Sequence, residues 1–267
     1  MDEKDLKTIQ DFGRQWQIFT DNDGYYASTD CLQDILHGLM NVSEVKNKYI
    51  ADIGSGTGRI VNMLLDAGAS SVLAIEPSEA FNVLIESTKD RSDLVEALKV
   101  PGNQIPANRN LDLVVSIGVL HHILEPAPVV KAAFNSIRPS GRMLVWLYGK
   151  EGNRLYLSLI KPFRIISKRL PHRVLHKCCI VLNWFLSIYI MLCRFLSMPM
   201  KKYMLNHLMK LDNEQRILTI YDQLNPAYAK YYSKNEAISL LSDSGFKNIQ
   251  IQHRHGYSWT VLGTKPD

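Results

Sequence analysis

Short apolar runs alternate with stretches of helical periodicity from about residue 48 onward. The runs predict buried strands, and the stretches between them place apolar residues on one face of a helix. Strands that alternate with helices indicate a parallel sheet with helices on both faces. The last two runs are separated by only a few residues, which favours an antiparallel hairpin. The predicted strands are 49–53, 71–75, 111–116, 142–147, 248–252 and 258–263.

Capping residues mark the helices between these strands. The first has apolar positions from Ile60 to Leu65 and ends at Gly68, a C-cap. The second is predicted to begin at Ser78 as N-cap, and the third covers 126–137. A capping box at 233–236 opens the last helix, which ends at Gly245.

The alternation is interrupted between the strand at 142–147 and the helix at 233. A connection of this length is expected to fold as its own helical subdomain. Within it, residues 178–193 carry no charge, yet are short of the roughly 20 residues needed to span a bilayer. A narrow polar stripe accompanies this apolar segment, so its helix is either buried inside a cap or lies in a membrane interface. The stripe is predicted to contain His176, Asn183, Ser187 and Arg194.

The chain has 267 residues, 46% apolar and 21% charged, enough for a sizeable core. Its four cysteines form no disulfide framework and its first residues are acidic, so we expect a reduced, cytoplasmic protein. The net charge of +5 is unevenly distributed, because residues 152–211 contain eleven Lys or Arg and no Asp or Glu. The cations are Arg154, Lys161, Arg164, Lys168, Arg169, Arg173, Lys177, Arg194, Lys201, Lys202 and Lys210.

A glycine-rich loop follows the first strand. It reads D-I-G-S-G-T-G from Asp52 to Gly58, and glycine at alternate positions permits a tight turn and close approach of a ligand. The helix that follows presents N–H groups suited to a carboxylate or phosphate. Glu76 ends the next strand, where a carboxylate can accept hydrogen bonds from ribose hydroxyls. We therefore expect a nucleoside-containing ligand.

The spacing of the glycines disfavours two common classes of nucleotide ligand site. The dinucleotide fingerprint G-x-G-x-x-G needs a small residue where this chain has Arg59, so nicotinamide cofactors are disfavoured. No G-K-[ST] follows, so the loop is not a Walker A motif. The alternative is a glycine turn that only links strand to helix.

The sequence resembles the class I S-adenosylmethionine-dependent methyltransferases. The resemblance rests on D-I-G-S-G-T-G-R, Glu76, D-L-V-V-S-I-G-V-L-H-H-I from position 112 and R-P-S-G-R-M-L-V-W from position 138. It implies an α/β fold with a Rossmann-like, doubly wound, seven-stranded, mostly parallel sheet, an antiparallel last strand and a helical cap insertion. It also implies S-adenosylmethionine as cofactor, bound by Asp52, Gly54, Ser55, Gly56, Gly58, Glu76, Pro77, Asn103, Gln104 and Ser116.

Near the adenine, relatives usually have Gly-Asp-Ala-Glu, whereas this chain has Gly-Asn-Gln-Ile-Pro at 102–106. The expected organisation is a helical lid at 1–47, a cofactor-binding core at 48–150, a basic helical cap at 151–232 and a closing helix and hairpin at 233–267.

Candidate catalytic and acceptor residues flank the predicted cofactor site. Methyl transfer requires an aligned acceptor and, for a hydroxyl, removal of its proton. His122 follows the strand predicted at 111–116 and is the preferred base, although a structural histidine is the alternative. His253 and His255 are expected on one side of a strand. The candidate acceptor residues are Trp16, Tyr25, Tyr148, Tyr221, Asn225, His253 and His255.

The leading hypothesis is a methyltransferase that acts on an oxygen or nitrogen of a small or lipid-linked acceptor. The alternatives are an RNA methyltransferase and an inactive cofactor-binding scaffold. Nucleic acid is disfavoured, because the aromatics of the basic insertion lie within apolar runs. No clustered His, Asp or Glu suggests a metal. The one-signed charge of 152–211 predicts peripheral contact with an anionic membrane at its cytoplasmic, inner face.

Overall fold

The computed structural model describes residues 3–167 and 170–267. Seven strands form one sheet in the order β3-β2-β1-β4-β5-β7-β6. The first five are mutually parallel, and β7 runs antiparallel to both β5 and β6. This topology confirms the predicted fold class. The strands are β1 (Tyr49–Ile53), β2 (Ser71–Ile75), β3 (Val95–Leu98), β4 (Leu111–Ile117), β5 (Ile137–Tyr148), β6 (Lys247–Arg254) and β7 (Ser258–Thr264).

Helices cover both faces of the sheet. Alternate strand residues pack on opposite sides, as the two-residue period of a strand requires. Ile50 and Val72 join one apolar cluster with α2 and α3, whereas Ala51 and Leu73 join the other with α5 and α10. The helices of this core are α1 (Glu3–Ile18), α2 (Thr29–Leu36), α3 (Arg59–Asp66), α4 (Ala80–Ser87), α5 (Ala127–Ser136) and α10 (Lys234–Ser242).

Three local predictions need correction. β3 has no counterpart among the predicted strands, because it is a short edge strand with no fully buried residue. Ser78 is not the N-cap of α4: Glu79 occupies that position, although Ser78 Oγ still accepts a hydrogen bond from the Ala80 N–H. The strand predicted at 142–147 is longer in the structure, because β5 begins at Ile137 and its pairing with β4 shifts register before Arg142.

The segment between β5 and α10 contains four more helices: α6 (Arg154–Ser167), α7 (His172–Phe195), α8 (Lys201–Asn206) and α9 (Asn213–Leu224). Two small apolar clusters hold them together. Leu175 and Cys179 of α7 pack with Tyr221 of α9, and Cys193 of α7 packs with Met204 of α8. The predicted cations Lys168 and Arg169 lie outside the described residues, as does the side chain of Lys161.

Polar contacts fasten α1 to this helical segment. Asn225, just after α9, donates through Nδ2 to the carbonyl of Asp11 at 3.1 Å and to Gln15 Oε1 at 3.0 Å. Gln15 Nε2 in turn donates to Asp222 Oδ1 at 3.0 Å. Because α1 also packs on α4 of the core, it connects the sheet to the helical segment above it.

Candidate active site

A cavity of about 590 Å³ lies at the carboxyl ends of the parallel strands. Ile53, Glu76 and Ile117 line it where β1, β2 and β4 end. Helix α1 contributes Phe12 and Trp16 from the opposite side, and α9 also lines the cavity. Ligands of open α/β sheets bind at this position, so the cavity is the candidate active site.

The glycine loop forms one wall of the cavity. Gly54, Gly56 and Gly58 have φ values of 80°, 53° and 84°, in the left-handed region that glycine adopts without strain. A Cβ atom on Gly54 would overlap the side chain of Val119, and one on Gly58 would lie 2.5 Å from Ser87 Oγ. Both backbone conformation and packing therefore require glycine here.

Glu76 stabilises this loop through its carboxylate. Oε2 accepts a hydrogen bond from the Gly56 N–H at 2.8 Å, and Oε1 accepts one from the Ser78 N–H at 2.9 Å. Each carboxylate oxygen can accept a second hydrogen bond, and the side chain lines the cavity next to Pro77. Glu76 is thus positioned to bind hydroxyl groups while it holds the loop, and its assignment to the ribose stays a prediction.

Asp52 and Ser116 lie behind the cavity wall. Ser116 is fully buried, and its hydroxyl donates to the Ile53 carbonyl at 3.3 Å, so it supports the strands; its contact with the cofactor stays a prediction. Asp52 is 1% exposed, and among the described residues its Oδ2 has no hydrogen-bond partner. Burial raises the pKa of Asp52 to about 7, because the ionised carboxylate is poorly solvated there.

The remaining predicted cofactor residues line the cavity. Ser55 belongs to the glycine loop, and Asn103 and Gln104 lie in a turn after β3. The Trp16 ring lies over the loop, with Nε1 3.4 Å from where a Gly56 Cβ would be. The structure therefore brings these side chains together around one space.

His122 is buried at the edge of the same cavity. Its Nδ1 lies 2.8 Å from the Tyr228 carbonyl, which can only accept, so Nδ1 carries the proton. Nε2 then has a lone pair, and no partner for it exists within the described residues. Burial lowers the pKa of His122 to about 4, so the ring is neutral near pH 7. Phe12 packs edge-on against the ring, at 4.8 Å between centroids.

Beside His122 lies a hydrogen-bonded group formed by Tyr148 at the end of β5 and by Asp222 and Gln223 of α9. The Tyr148 hydroxyl donates to Asp222 Oδ2 at 2.9 Å and accepts from Gln223 Nε2 at 2.7 Å. All three residues line the cavity. Burial, with the Asp222 carboxylate nearby, raises the pKa of Tyr148 well above its usual value. Tyr148 was predicted here, whereas Asp222 and Gln223 were not.

The other candidate acceptor residues lie outside the cavity lining. Tyr25 packs against His207 and Lys210, and Tyr221 faces α7 with its hydroxyl paired to His172. Asn225 is buried between α1 and α9, as described above. The expectation that His253 and His255 share a strand face is wrong, because β6 ends at Arg254 and His255 has a left-handed φ of 48°.

These two histidines make separate structural contacts. His253 stacks on Trp259 at 4.2 Å between centroids, and His255 Nε2 lies 2.8 Å from Asp34 Oδ1. Neither side chain is available to line the cavity.

Sequence reasoning did not identify two arginines of the cavity wall, Arg59 and Arg254. Arg59 lies over the Tyr26 ring, 4.0 Å from its centroid, and donates to the Tyr26 carbonyl. Arg254 is 2% exposed and is held by an ion pair with Asp34. The hydrogen bond from Arg254 to Asp34 spans 220 positions of sequence, so no local pattern could have indicated it.

Comparison with known families agrees with this geometry. Residues 51–145 match the family model described as a methyltransferase domain. Among curated proteins, tRNA U34 carboxymethyltransferases of Pseudoalteromonas atlantica and Cellvibrio japonicus are 28% and 32% identical over 42% and 44% of this chain. The matched segments cover 36% and 38% of those proteins, so the chain spans well under half of their length.

Solved structures extend the likeness over most of the chain. Magnesium protoporphyrin IX methyltransferase from Synechocystis has a TM-score of 0.51 and 14% identity, covering 95% of this chain and 83% of that protein. The 1,6-didemethyltoxoflavin-N1-methyltransferase of Burkholderia thailandensis has a TM-score of 0.53 and 14% identity, covering 94% and 81%. At this identity the likeness concerns the fold.

Proposed function

We propose that this chain, whose residues 51–145 match a methyltransferase domain, transfers the methyl group of S-adenosylmethionine to an oxygen or nitrogen of a small or lipid-linked acceptor. The observation that supports this most directly is the geometry of the glycine loop. Three left-handed glycines, a buried glutamate at the end of β2 and the cavity of about 590 Å³ meet at one point.

Each wall of the cavity has its own part in the proposed reaction. S-adenosylmethionine supplies a methyl group on a sulfonium, already activated for displacement. The glycine loop and Glu76 bind the nucleoside and amino acid portions, while Trp16 and Phe12 of α1 exclude water. Asp52, buried behind the loop and without an Oδ2 partner among the described residues, is suited to stabilise the cofactor's ammonium group.

His122 is proposed as the proton acceptor. Its Nδ1–H is engaged by the Tyr228 carbonyl, which fixes the tautomer and leaves the Nε2 lone pair available. With a pKa of about 4 the ring is a weak base, so it removes a proton only as the acceptor atom is being methylated. Tyr148, Asp222 and Gln223 offer polar groups for orienting an acceptor that bears hydroxyls.

RNA is the second candidate acceptor, favoured by the names of the curated relatives. The relatives match only 42–44% of this chain. Asp222 and Gln223, which are proposed to orient the acceptor, lie in the helical segment, beyond the family domain at 51–145. The acceptor must therefore be identified by experiment.

The first test measures cofactor binding by calorimetry. The parent is expected to bind S-adenosylmethionine, and Gly56→Val should abolish binding because its side chain enters the cavity. Glu76→Ala should weaken binding by about 1.5–3 kcal/mol through loss of hydrogen bonds to a carboxylate. Unchanged affinity in both variants, or tight binding of NAD by the parent, would refute the assignment.

The second test identifies the acceptor. Cell extract separated into lipid, glycan and RNA fractions is incubated with the protein and cofactor carrying a labelled methyl group, and products are analysed by mass spectrometry. Label in a lipid or small-molecule product supports the proposal. Label confined to RNA supports the second candidate, and cofactor binding without any labelled product indicates a scaffold.

A further inference from the structure

Helix α7 exposes many apolar side chains, while its inner side buries Leu175, Cys179, Ile190 and Cys193 together with the polar Asn183. Asn183 is buried, and its Oδ1 accepts a hydrogen bond from Arg216 Nε at 3.2 Å. Ser187 donates to the Asn183 carbonyl at 2.9 Å, and the His176 ring lies 5.6 Å from that of Phe19. His176 and Asn183 of the predicted polar stripe thus face protein. A helix on the surface of a water-soluble domain presents polar side chains outward, whereas the outward side of α7 is apolar.

The outward side of α7 is a continuous apolar surface. Trp184 is 61% exposed and Phe195 is 80% exposed. A large exposed apolar patch on a protein surface marks a contact with another protein or with a membrane. The apolar face consists of Val174, Ile180, Val181, Leu182, Trp184, Phe185, Ile188, Met191, Leu192 and Phe195.

Basic side chains border this apolar face at both ends. Arg173 and Lys177 are exposed in the first turns of α7, and Arg194 and Lys202 are exposed at and beyond its end. Within residues 3–167 and 170–267, none of these four cations forms an ion pair. Because residues 152–211 contain no acidic side chain, the covering surface must be apolar and negatively charged.

We propose that the apolar face of α7 docks in the interfacial layer of an anionic lipid bilayer. By length and composition α7 is a candidate for crossing a membrane, since an 18-residue window within it has a mean hydropathy of 1.8. Its inner side, however, packs on α9 through Leu175 and Cys179 and on α8 through Cys193. Since protein covers that side near both ends, α7 lies in the plane of the membrane.

This placement brings the bilayer close to the cavity. Helix α9 packs against α7 through Ile217 and Tyr221, and its other side lines the cavity with Asp222 and Gln223. Two packed helices, α7 and α9, therefore lie between the lipid surface and the candidate active site. The docking itself does not depend on methyl transfer, so it is tested by binding alone.

Flotation of the full-length protein with vesicles tests the proposal. We expect it to float with phosphatidylcholine vesicles containing phosphatidylglycerol at low salt and to stay in solution with pure phosphatidylcholine. Arg173→Gln with Lys177→Gln should lower the partition coefficient about 10- to 30-fold. The matched control, Lys234→Gln with Lys247→Gln, makes the same change in net charge on the exposed surface of the core and should float like the parent.

The apolar contribution is tested in the same way. Trp184→Ser with Phe195→Ser should abolish flotation, whereas Ile85→Ser with Leu94→Ser, which alters exposed apolar residues of the core, should not. Lipids brominated near the headgroup should quench parent fluorescence more than lipids brominated at the chain end, and Trp184→Phe should remove that difference. The proposal is overturned if the parent does not float with anionic vesicles. If such a parent is also a dimer, and Trp184→Ser with Phe195→Ser converts it to a monomer, the apolar face is a contact between two copies of the chain.

Discussion

The nitrogen atoms of His122 have different surroundings, and this difference defines its proposed role. An unpaired ring nitrogen alone does not identify a reactive histidine, because His253 Nε2 also lacks a partner among the described residues; His122 differs in that it lines the cavity. Here Nδ1 is bonded and Nε2 faces no partner among the described residues. The unpaired atom belongs to a ring on the cavity wall, where an acceptor would lie.

Replacement of His122 is expected to impair turnover and spare cofactor binding. His122→Ala should lower the rate of methyl transfer by about 10²- to 10⁴-fold, because the proton acceptor is lost. The parent rate should decline as the pH falls toward 4, since the proposed base works only when neutral. His253→Ala, which alters a histidine outside the cavity, should retain the parent rate. Loss of cofactor affinity together with thermal stability in His122→Ala would instead identify a structural residue.

At the scale of elements, the glycine loop depends on two separate constraints. Gly54 and Gly38 both have left-handed φ values, 80° and 76°. A Cβ on Gly54 would overlap Val119, whereas one on Gly38 has nothing within 4 Å. Alanine substitutions at Gly38 and Gly54 therefore distinguish the energetic cost of backbone strain from that of steric overlap.

Gly54→Ala is expected to destabilise the protein more than Gly38→Ala. Backbone strain alone should cost Gly38→Ala about 1–2 kcal/mol. Overlap with Val119 should add about 1–3 kcal/mol in Gly54→Ala. Urea unfolding of the two variants measures the difference, and equal losses would show that the loop moves away from Val119 without cost.

The parts of the fold that sequence predicted are those with a local pattern. β1 and β2 are apolar runs that end at turns, and their predicted bounds are the observed ones. The pocket depends on contacts that no local pattern contains. A short 3-10 helix at 25–27 places Tyr26 in the cavity wall and its neighbour Tyr25 outside it. Similarly, the buried side of α7 is determined by its packing against α9. The contacting residues, such as Leu175 and Tyr221, are more than twenty positions apart in the chain.

At the scale of the whole molecule, the basic and acidic parts of the chain have different surroundings. Arg173, Lys177 and Arg194 lie on α7, which carries the exposed apolar face, while most ion pairs of the described residues join groups of the core. The proposed arrangement places a membrane on one side of the helical segment and the cavity on the other. A lipid-linked acceptor would then have a short path between them.

Acid should destabilise the whole molecule through its buried histidines. Burial holds the pKa of His122 at about 4 and that of His207 at about 3, and it lowers the pKa of His121 well below its usual value. In the unfolded chain these histidines titrate near pH 6.5, so near pH 5 each takes up a proton on unfolding. Asp52 acts in the opposite direction, because its folded pKa of about 7 means that it loses a proton on unfolding above pH 4.

These groups predict a net uptake of protons on unfolding near pH 5, and hence a free energy of unfolding that falls as the pH is lowered. His207→Gln should reduce this slope by about 1.4 kcal/mol per unit, because one buried neutral histidine is removed. Asp52→Asn should increase it by a similar amount, since the opposing carboxyl is lost. Urea unfolding at pH 6.0, 5.5 and 5.0 measures the three slopes. Equal slopes in the parent and both variants would mean that these side chains titrate in the folded protein as they do in the unfolded chain.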